Sequence, residues 1–188
     1  MKTSETDPIR LDFVVSKDYP SLNRLGMTLA PGKKVQNAAG KDWDRDLESD
    51  LSRLKHHYEV DSLVSLVAFE ELERLRIEDL PRRCRSKSIE LIQFPIKDGF
   101  TPPAYEEFSR LVEVICERLS EGSTVAVHCR GGLGRTGLTA ACVVVGISEG
   151  KINGQSAIEM VRNARAGTIE TQEQEKFVVG FADHWKSA

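Results

Sequence analysis

The sequence contains few cysteines, no excess of basic residues and no long apolar run. The four cysteines, Cys84, Cys116, Cys129 and Cys142, are spaced neither like a zinc knuckle nor like a CxxC redox pair, which argues against a metal site and a disulfide framework. A formal net charge of -3 provides no overall positive field for nucleic acid or for an anionic membrane surface. Any site for an anion must therefore be local.

The amino-terminal residues MKTSETDPIR lack the apolar core of a signal peptide, and no segment approaches the length of a membrane-spanning helix. We therefore expect a cytoplasmic protein that binds neither membrane nor nucleic acid. With 188 residues, the chain is long enough for one domain with a substantial core and too short for two. Residues 1–24 are predicted to form an extended lead-in and residues 25–188 the domain, which is expected to be a monomer.

Segments with strand-like and helix-like patterns alternate along the chain. Three short apolar segments are predicted to be strands, at residues 60–69, 88–96 and 124–128. Helices are predicted over residues 43–58, 70–80, 102–120, 138–150, 156–163 and from Thr171 onward. The helix after the third strand is nearly all apolar, so we expect it to be buried in the centre of the fold. The alternation predicts an α/β fold, a single domain with a central, mainly parallel β-sheet flanked by helices.

The basic segment PRRCRSK, residues 81–87, follows a predicted helix that stops before Pro81. We interpret it as a solvated loop with Cys84 as a surface thiol; binding of a phosphorylated partner or a lipid headgroup is the alternative. Cys116 and Cys142 lie in apolar segments and are expected to be buried as small hydrophobic residues. Cys129 has quite different neighbours.

Residues 128–137, HCRGGLGRTG, place Cys129 between a predicted strand and the apolar helix. A strand that ends in a glycine-rich loop before a helix points backbone N–H groups and a helix amino terminus at one spot, which attracts a phosphate-sized dianion. The same field stabilises a thiolate, a nucleophile. The glycines allow the loop to bring the guanidinium of Arg135 back over the thiol, where it can hold two phosphate oxygens. The lysine of a Walker phosphate loop is missing.

The arrangement of His128, Cys129, five residues, Arg135 and Thr136 resembles the HCx5R signature, followed by Ser or Thr, of the cysteine-dependent protein tyrosine and dual-specificity phosphatases. Within that superfamily, LGMTLAPGKK, FPIKDGFTPP and HCRGGLGRTG most resemble the cyclin-dependent kinase-associated phosphatase group. The resemblance implies hydrolysis of a phosphorylated protein substrate through a cysteinyl-phosphate, with neither metal nor cofactor.

The resemblance also implies a role for each residue of the loop. The thiolate of Cys129 would attack phosphorus while Arg135 and the loop amides hold the phosphoryl oxygens. Thr136 would donate a hydrogen bond to the thiolate as it leaves, and His128 would order the loop rather than act as a general base. The residues that bind substrate would be Arg130, Gly131, Gly132, Leu133 and Gly134.

The leaving group needs a proton from an acid on a separate loop. Asp98, in IKDGF, is the candidate, with Gly99 as a possible hinge; a plain turn aspartate is the alternative. In IETQEQ, Gln174 matches one of two glutamines with which the tyrosine phosphatases position water, but Glu170 stands at the other place. Because a phosphate dianion repels a carboxylate, we expect Glu170 to face away, or the water to be positioned by Gln174 or Gln172. The alternative is that Glu170, Gln172 and Gln174 have no catalytic role and only cap and solvate the last helix.

No aromatic recognition loop is found before residue 60, which favours a shallow pocket and dual specificity. Arg130 adds a positive charge that would favour acidic or doubly phosphorylated substrates, unless it is a solvated surface residue. Three alternatives remain. The first is a phosphoinositide phosphatase, a class that typically carries lysines in the loop. The second is an RNA 5'-phosphatase, a class that often lacks the acid and has a basic surface. The third is a non-catalytic phosphopeptide-binding module, a class that usually loses the cysteine or the arginine.

Overall fold

A computed structural model of the chain describes residues 1–36 and 42–187. The strands are β1 (Lys2–Thr3), β2 (Asp12–Phe13), β3 (Leu25–Thr28), β4 (Lys34–Val35), β5 (Trp43–Asp44), β6 (Ser62–Ser65), β7 (Glu90–Gln93) and β8 (Val125–His128). The helices are α1 (Leu47–His57), α2 (Phe69–Leu75), α3 (Leu80–Ser86), α4 (Tyr105–Ser120), α5 (Gly134–Ile147), α6 (Gly154–Ala164) and α7 (Gln172–Ser187), with a short 3-10 helix at Pro20–Arg24.

Five strands form the main sheet in the order β2-β3-β8-β6-β7. All neighbours are parallel except β2, which runs antiparallel to β3 at one edge. The last residue of β8, His128, lies in register with Thr28 on one side and Ser65 on the other. Because parallel strands end at the same edge of a sheet, the loops that follow β3, β6, β7 and β8 meet there. The predicted single α/β domain with a mainly parallel sheet is confirmed.

Helices cover both faces of this sheet and form two apolar clusters with it. On one face, residues of α4, α6 and α7 surround α5, in which every residue from Gly134 to Gly146 is buried. The expectation of a buried apolar helix is therefore correct. Helices α1, α2 and α3 cover the other face. No helix within the described ranges is both long and apolar enough to cross a membrane.

The basic segment 81–87 is not a loop, as predicted, but most of α3. Pro81 lies in the first turn of this helix, where its missing N–H costs nothing. Leu80 and Cys84 are four residues apart and face the core, while the neighbouring arginines face outward. The prediction of Cys84 as a surface thiol is therefore wrong, and burial raises the pKa of this thiol to about 12.

The start of α1 and the end of α2 also differ from the prediction. Trp43 and Asp44 pair with β1 and β4 in a small second sheet, so α1 begins only after Asp46, whose side chain accepts a hydrogen bond from the Ser49 N–H at 2.7 Å. The helix predicted over 70–80 ends early because Arg76 adopts a left-handed conformation with φ of 57°.

Residues before β3 pack onto the same core as the rest of the chain. Strand β2 lengthens the main sheet, and the side chains of Ile9, Leu11, Val14 and Leu22 are all 5% exposed or less. The side chain of Thr28 donates a hydrogen bond to the Arg10 carbonyl at 2.7 Å.

Candidate active site

The glycine-rich loop begins where β8 ends, at the middle of the sheet edge, and leads directly into α5. Cys129 is 3% exposed, and the Gly132 N–H points at its Sγ atom from 3.3 Å. Gly132 has a φ of +72°, and a Cβ atom there would lie 2.3 Å from the Thr28 carbonyl oxygen. Only glycine fits this turn beside β3.

The carbonyl groups of the loop point outward and are bound from behind. Lys33 Nζ donates to the Arg130 carbonyl at 3.3 Å, and Arg165 donates to the carbonyls of Gly132 at 2.7 Å and Gly131 at 3.3 Å. Because the N–H and C=O of a peptide point in opposite directions, the N–H groups that follow these carbonyls face away from Lys33 and Arg165, and the Gly132 N–H reaches Cys129 Sγ. N–H groups that converge in this way suit an anion, and the anion site stays a prediction. The two outer supports of the loop, Lys33 and Arg165, carry no signal in the sequence.

Arg135 is 1% exposed and lies within a ring of acceptors. Its Nη1 and Nη2 atoms bind the two carboxylate oxygens of Glu71 at 2.6 and 2.9 Å. Nη1 also donates to the Ile96 carbonyl at 2.8 Å, and Nη2 donates to Asp98 Oδ1 at 2.8 Å. The guanidinium orientation is therefore fixed by α2 and by the segment that follows β7.

Glu71 is a site residue that the sequence reasoning missed. Burial disfavours its charged form, but hydrogen bonds from Arg135 and from the Ala68 N–H outweigh burial and hold its pKa below the usual value. Glu71 is therefore a carboxylate at neutral pH. The number of residues between Glu71 and Cys129 matches no motif. The available clue was that Glu71 lies on the helix that follows a strand, and that this strand lies beside β8.

Asp98 lies in the turn after β7 with Gly99, which has a φ of +80°. Its Oδ1 atom binds Arg135, and its Oδ2 atom lies 3.7 Å from Nη1 of Arg130. The side chain is 53% exposed, so it lies at the rim of the site and not beneath it. The structure thus brings the predicted acid together with the loop, in a turn that glycine makes possible.

His128 is fully buried, and its Nδ1 atom lies 3.2 Å from the Cys129 carbonyl oxygen. Burial lowers the pKa of His128 to about 4, so the ring is neutral at physiological pH. A neutral ring beside the Cys129 carbonyl is able to order the loop, and this role of His128 stays a prediction. Thr136 is also fully buried, and no described residue forms a hydrogen bond with its Oγ1 atom.

Glu170 faces the loop. Its Oε2 atom accepts a hydrogen bond from the Gly134 N–H at 2.9 Å, at the first residue of α5. Gln174, which is 1% exposed, accepts one from the Glu170 N–H at 2.9 Å through Oε1, while Gln172 is exposed. The expectation that Glu170 faces away does not match this geometry. A carboxylate is tolerated there because a helix amino terminus with an unpaired N–H stabilises negative charge.

Of the remaining loop residues, Arg130 has a half-exposed side chain, whereas Leu133 binds through its backbone. The Leu133 carbonyl accepts hydrogen bonds from the N–H groups of Gly137 at 2.8 Å and Ile169 at 3.4 Å. Leu133 thus ties the start of α5 to the segment that carries Glu170.

Comparison with known proteins agrees with this geometry. A family model described as "PTP-SAK: Swiss Army Knife protein, DSP-PTPase phosphatase domain" matches residues 44–178. Cyclin-dependent kinase inhibitor 3 of Rattus norvegicus is 29% identical over 180 residues, which are 95% of this chain and 81% of the relative. Protein tyrosine phosphatase type IVA 3 of Homo sapiens is 34% identical over 88 residues, which are 45% of this chain and 48% of the relative.

A solved structure of a kinase associated phosphatase, in which serine replaces the catalytic-site cysteine, has a similar fold. The TM-score is 0.84 at 25% identity, and the match covers 96% of this chain and 97% of the other. The resemblance to the kinase-associated phosphatase group is therefore confirmed over nearly the full length. Because the family model matches more than half of the chain, the chain belongs to the DSP-PTPase family, the cysteine-dependent protein tyrosine and dual-specificity phosphatases.

Proposed function

We propose that the chain is a metal-independent protein phosphatase that hydrolyses phosphotyrosine and phosphoserine or phosphothreonine monoesters through a cysteinyl-phosphate. The observation that carries the proposal is the placement of Cys129 in the glycine-rich loop between β8 and α5, where its Sγ atom faces the Gly132 N–H and Glu71 fixes the guanidinium of Arg135. The names of two relatives refer to kinases, which supports a phosphorylated protein as the substrate. A cytoplasmic location and a monomeric state stay predictions.

In the first step, the Cys129 thiolate attacks phosphorus and the bond to the leaving oxygen breaks. Arg135 and the loop N–H groups hold the phosphoryl oxygens, where negative charge is greatest in the transition state. Asp98 gives its proton to the leaving oxygen, so the departing group is a neutral phenol or alcohol. When the phosphoryl group occupies the loop, it replaces Asp98 as the partner of Arg135.

In the second step, water attacks the cysteinyl-phosphate, the S–P bond breaks and Asp98 accepts the proton of the water. Thr136 donates a hydrogen bond to the departing thiolate; its buried Oγ1 has no other partner among the described residues. Gln174 and Glu170 face the start of α5, which supports a role in placing the water. His128 keeps the end of β8 in place.

The test is an assay in the presence of a chelator with phosphotyrosine and phosphothreonine peptides, phosphoinositides and RNA 5'-phosphate ends. Cys129→Ser is expected to abolish turnover, whereas the matched control Cys116→Ser keeps it because Cys116 lies outside the loop. Turnover by Cys129→Ser would overturn the mechanism. Binding of phosphopeptides without turnover by the unaltered chain would indicate a binding module, and a preference for lipid or RNA would change the substrate class.

The role of Asp98 is tested with aryl phosphates whose leaving groups differ in pKa. Asp98→Asn is expected to lose about 100-fold in kcat on phenyl phosphate but much less on p-nitrophenyl phosphate, whose leaving group needs no proton. Asp61→Asn, which removes a carboxylate from outside the site, serves as the control. Equal losses on both substrates would remove Asp98 as the acid.

A further inference from the structure

A surface groove of about 410 Å³ lies between α2, the start of α3 and the end of β7. We call it the α2–α3 groove, and its lining consists of Phe69, Leu72, Glu73, Glu78, Pro81 and Gln93. Leu72 is 4% exposed and lies at the bottom of the groove, whereas Phe69 is 81% exposed. A large aromatic ring that stays in water beside other apolar residues is typical of a binding surface.

The charges that line the α2–α3 groove are all negative. Glu73 and Glu78 are exposed, and neither forms an ion pair or a side-chain hydrogen bond with the described part of the chain. No lysine or arginine of residues 1–36 and 42–187 belongs to the lining. By contrast, Asp79, the residue after Glu78, binds Arg82 and lies outside the groove. The groove therefore presents two carboxylates without a partner beside apolar surface.

The α2–α3 groove and the catalytic centre share two segments of the chain. Phe69 and Glu71 lie two residues apart on α2, which is about 200° around a helix, so their side chains point in nearly opposite directions. Glu71 binds Arg135, and Phe69 lines the groove. Gln93 ends β7, and the segment that follows it carries Asp98. One protein substrate can therefore place its phosphoresidue in the catalytic loop and a second segment in the groove.

We propose that the α2–α3 groove docks a segment of the phosphoprotein substrate in which a large apolar side chain lies next to arginine or lysine. The proposal rests on the proposed function, because the substrate must be a phosphoprotein. The apolar side chain packs on Phe69 and Leu72, and the basic side chain binds the carboxylate of Glu73 or Glu78. Because this segment belongs to the same molecule as the phosphoresidue, its binding raises the effective concentration of the phosphoresidue at the catalytic loop.

The test uses a phosphotyrosine peptide joined at either end, through glycine-serine linkers of about 5, 10 and 20 residues, to the segment Arg-Leu-Arg-Leu. At least one joined peptide is expected to have a kcat/KM about tenfold above that of the peptide alone, through KM and not through kcat. Serine in place of the leucines of the segment, or glutamate in place of its arginines, should remove this gain. Equal kcat/KM for all of these peptides would overturn the proposal.

Two variants of the groove separate docking from catalysis. Glu73→Lys reverses one charge, and Phe69→Ser removes the exposed ring. Each should reduce the gain to less than about twofold and keep kcat/KM on the peptide alone within about twofold of the wild-type value. The matched controls, which should keep the full gain, are Glu159→Lys, at an exposed position on α6 across the sheet, and Val15→Ser, where the side chain is 76% exposed. An unchanged gain in both groove variants would show that docking occurs elsewhere.

Direct binding distinguishes a failure of docking from a failure of the proposed function. The fluorescein-labelled segment without phosphate should bind the wild-type protein in a fluorescence anisotropy titration and lose about tenfold in affinity in Glu73→Lys. Absence of binding, or equal affinity in the two proteins, would refute the docking groove even if phosphopeptides are hydrolysed. A wild-type dimer that Phe69→Ser dissociates would assign the groove to a second copy of the chain instead. The proposed function fails separately, if no phosphopeptide is hydrolysed or if Cys129→Ser remains active.

Discussion

Glu71 is the residue on which the orientation of Arg135 most depends. It provides two of the hydrogen bonds to the guanidinium, and the pKa of its carboxyl is lowered by those bonds despite burial. Glu71→Gln keeps the shape of the side chain but removes its charge and one acceptor. We expect kcat/KM on a phosphotyrosine peptide to fall by about 10- to 100-fold, because a misplaced guanidinium stabilises the transition state less well.

The matched control for this prediction is Glu70→Gln, one residue earlier on α2, where the carboxylate is exposed. It should keep kcat/KM within about twofold, as surface substitutions away from a site usually do. Steady-state kinetics of both variants, together with urea unfolding to establish that each is folded, provides the measurement. Wild-type kinetics in Glu71→Gln would show that the loop alone positions Arg135.

His128 should make the folded state sensitive to mild acid. Its pKa is about 4 in the fold because burial disfavours the charged ring, against 6.5 for an exposed histidine. The unfolded chain therefore binds this proton first, and stability present above pH 6.5 is lost as the pH falls toward 4. Between about pH 7.5 and about pH 5 the loss from this residue is about 2 kcal/mol.

Urea unfolding at these two pH values checks the prediction. His128→Asn should show a pH dependence smaller by that amount, whatever its stability at the higher pH. The exposed residue His56 provides the control, because His56→Gln should retain the wild-type dependence. Identical pH dependence in His128→Asn and in the wild-type protein would place the acid-sensitive step elsewhere.

In the proposed mechanism, the beginning of α5 carries two opposing requirements, since it attracts phosphate and also accommodates the Glu170 carboxylate. Glu170 Oε2 accepts a hydrogen bond from the Gly134 N–H, which places this negative charge beside the proposed site of the dianion. Glu170→Gln keeps an acceptor for that N–H and removes the charge. We expect the inhibition constant of inorganic phosphate to be lower in this variant by about threefold or more, because one repulsive charge is gone.

Competitive inhibition by phosphate at low ionic strength measures this effect. Glu173→Gln, which removes an exposed carboxylate from the first turn of α7, is the comparison and should leave the inhibition constant unchanged. An inhibition constant in Glu170→Gln equal to that of the wild-type protein would mean that the carboxylate does not affect the bound anion.

The residue patterns of single helices and strands predicted much of the fold. They misplaced the ends of elements where tertiary contacts determine those ends. The β-branched strand before the loop and the apolar helix after it were predictable, because burial on every side removes polar residues. The nature of residues 81–87 was not predictable from their charge, since α3 has three arginines and only two buried residues. Trp43 fits the helical spacing of α1 but pairs with β1, a contact that no local pattern reveals.

At the scale of the whole molecule, the site is assembled from the loops at one edge of the parallel sheet. The sequence predicted the residues of the glycine-rich loop and Asp98, which belong to recognisable motifs. It could not predict Glu71 or Lys33, because they reach the loop only through the order of strands β3-β8-β6. Nor could it predict Arg165, which reaches the loop from the end of α6. Supports of this kind are set by topology and not by spacing along the chain.

The segment before β3 provides the last prediction, which concerns the unit that folds. Ile9, Leu11, Val14 and Leu22 are buried, and full burial of such side chains contributes about 1.5–3 kcal/mol each. The combined contribution of about 6–12 kcal/mol is comparable to the whole stability of a typical domain, about 5–15 kcal/mol. In addition, Asp12 forms an ion pair with Arg165, which binds the catalytic loop.

A fragment that begins at residue 25 is therefore expected to lack a cooperative thermal transition and phosphatase activity. A fragment that begins at residue 6 loses β1 of the small sheet and exposed polar contacts such as those of Ser4 with Asp46, and it should melt within a few degrees of the full chain. Circular dichroism during heating distinguishes the two fragments. A folded, active fragment 25–188 would show that residues 1–24 are dispensable. If this fragment does not fold, the folding unit includes β2, and the catalytic loop depends on residues far before it in the chain.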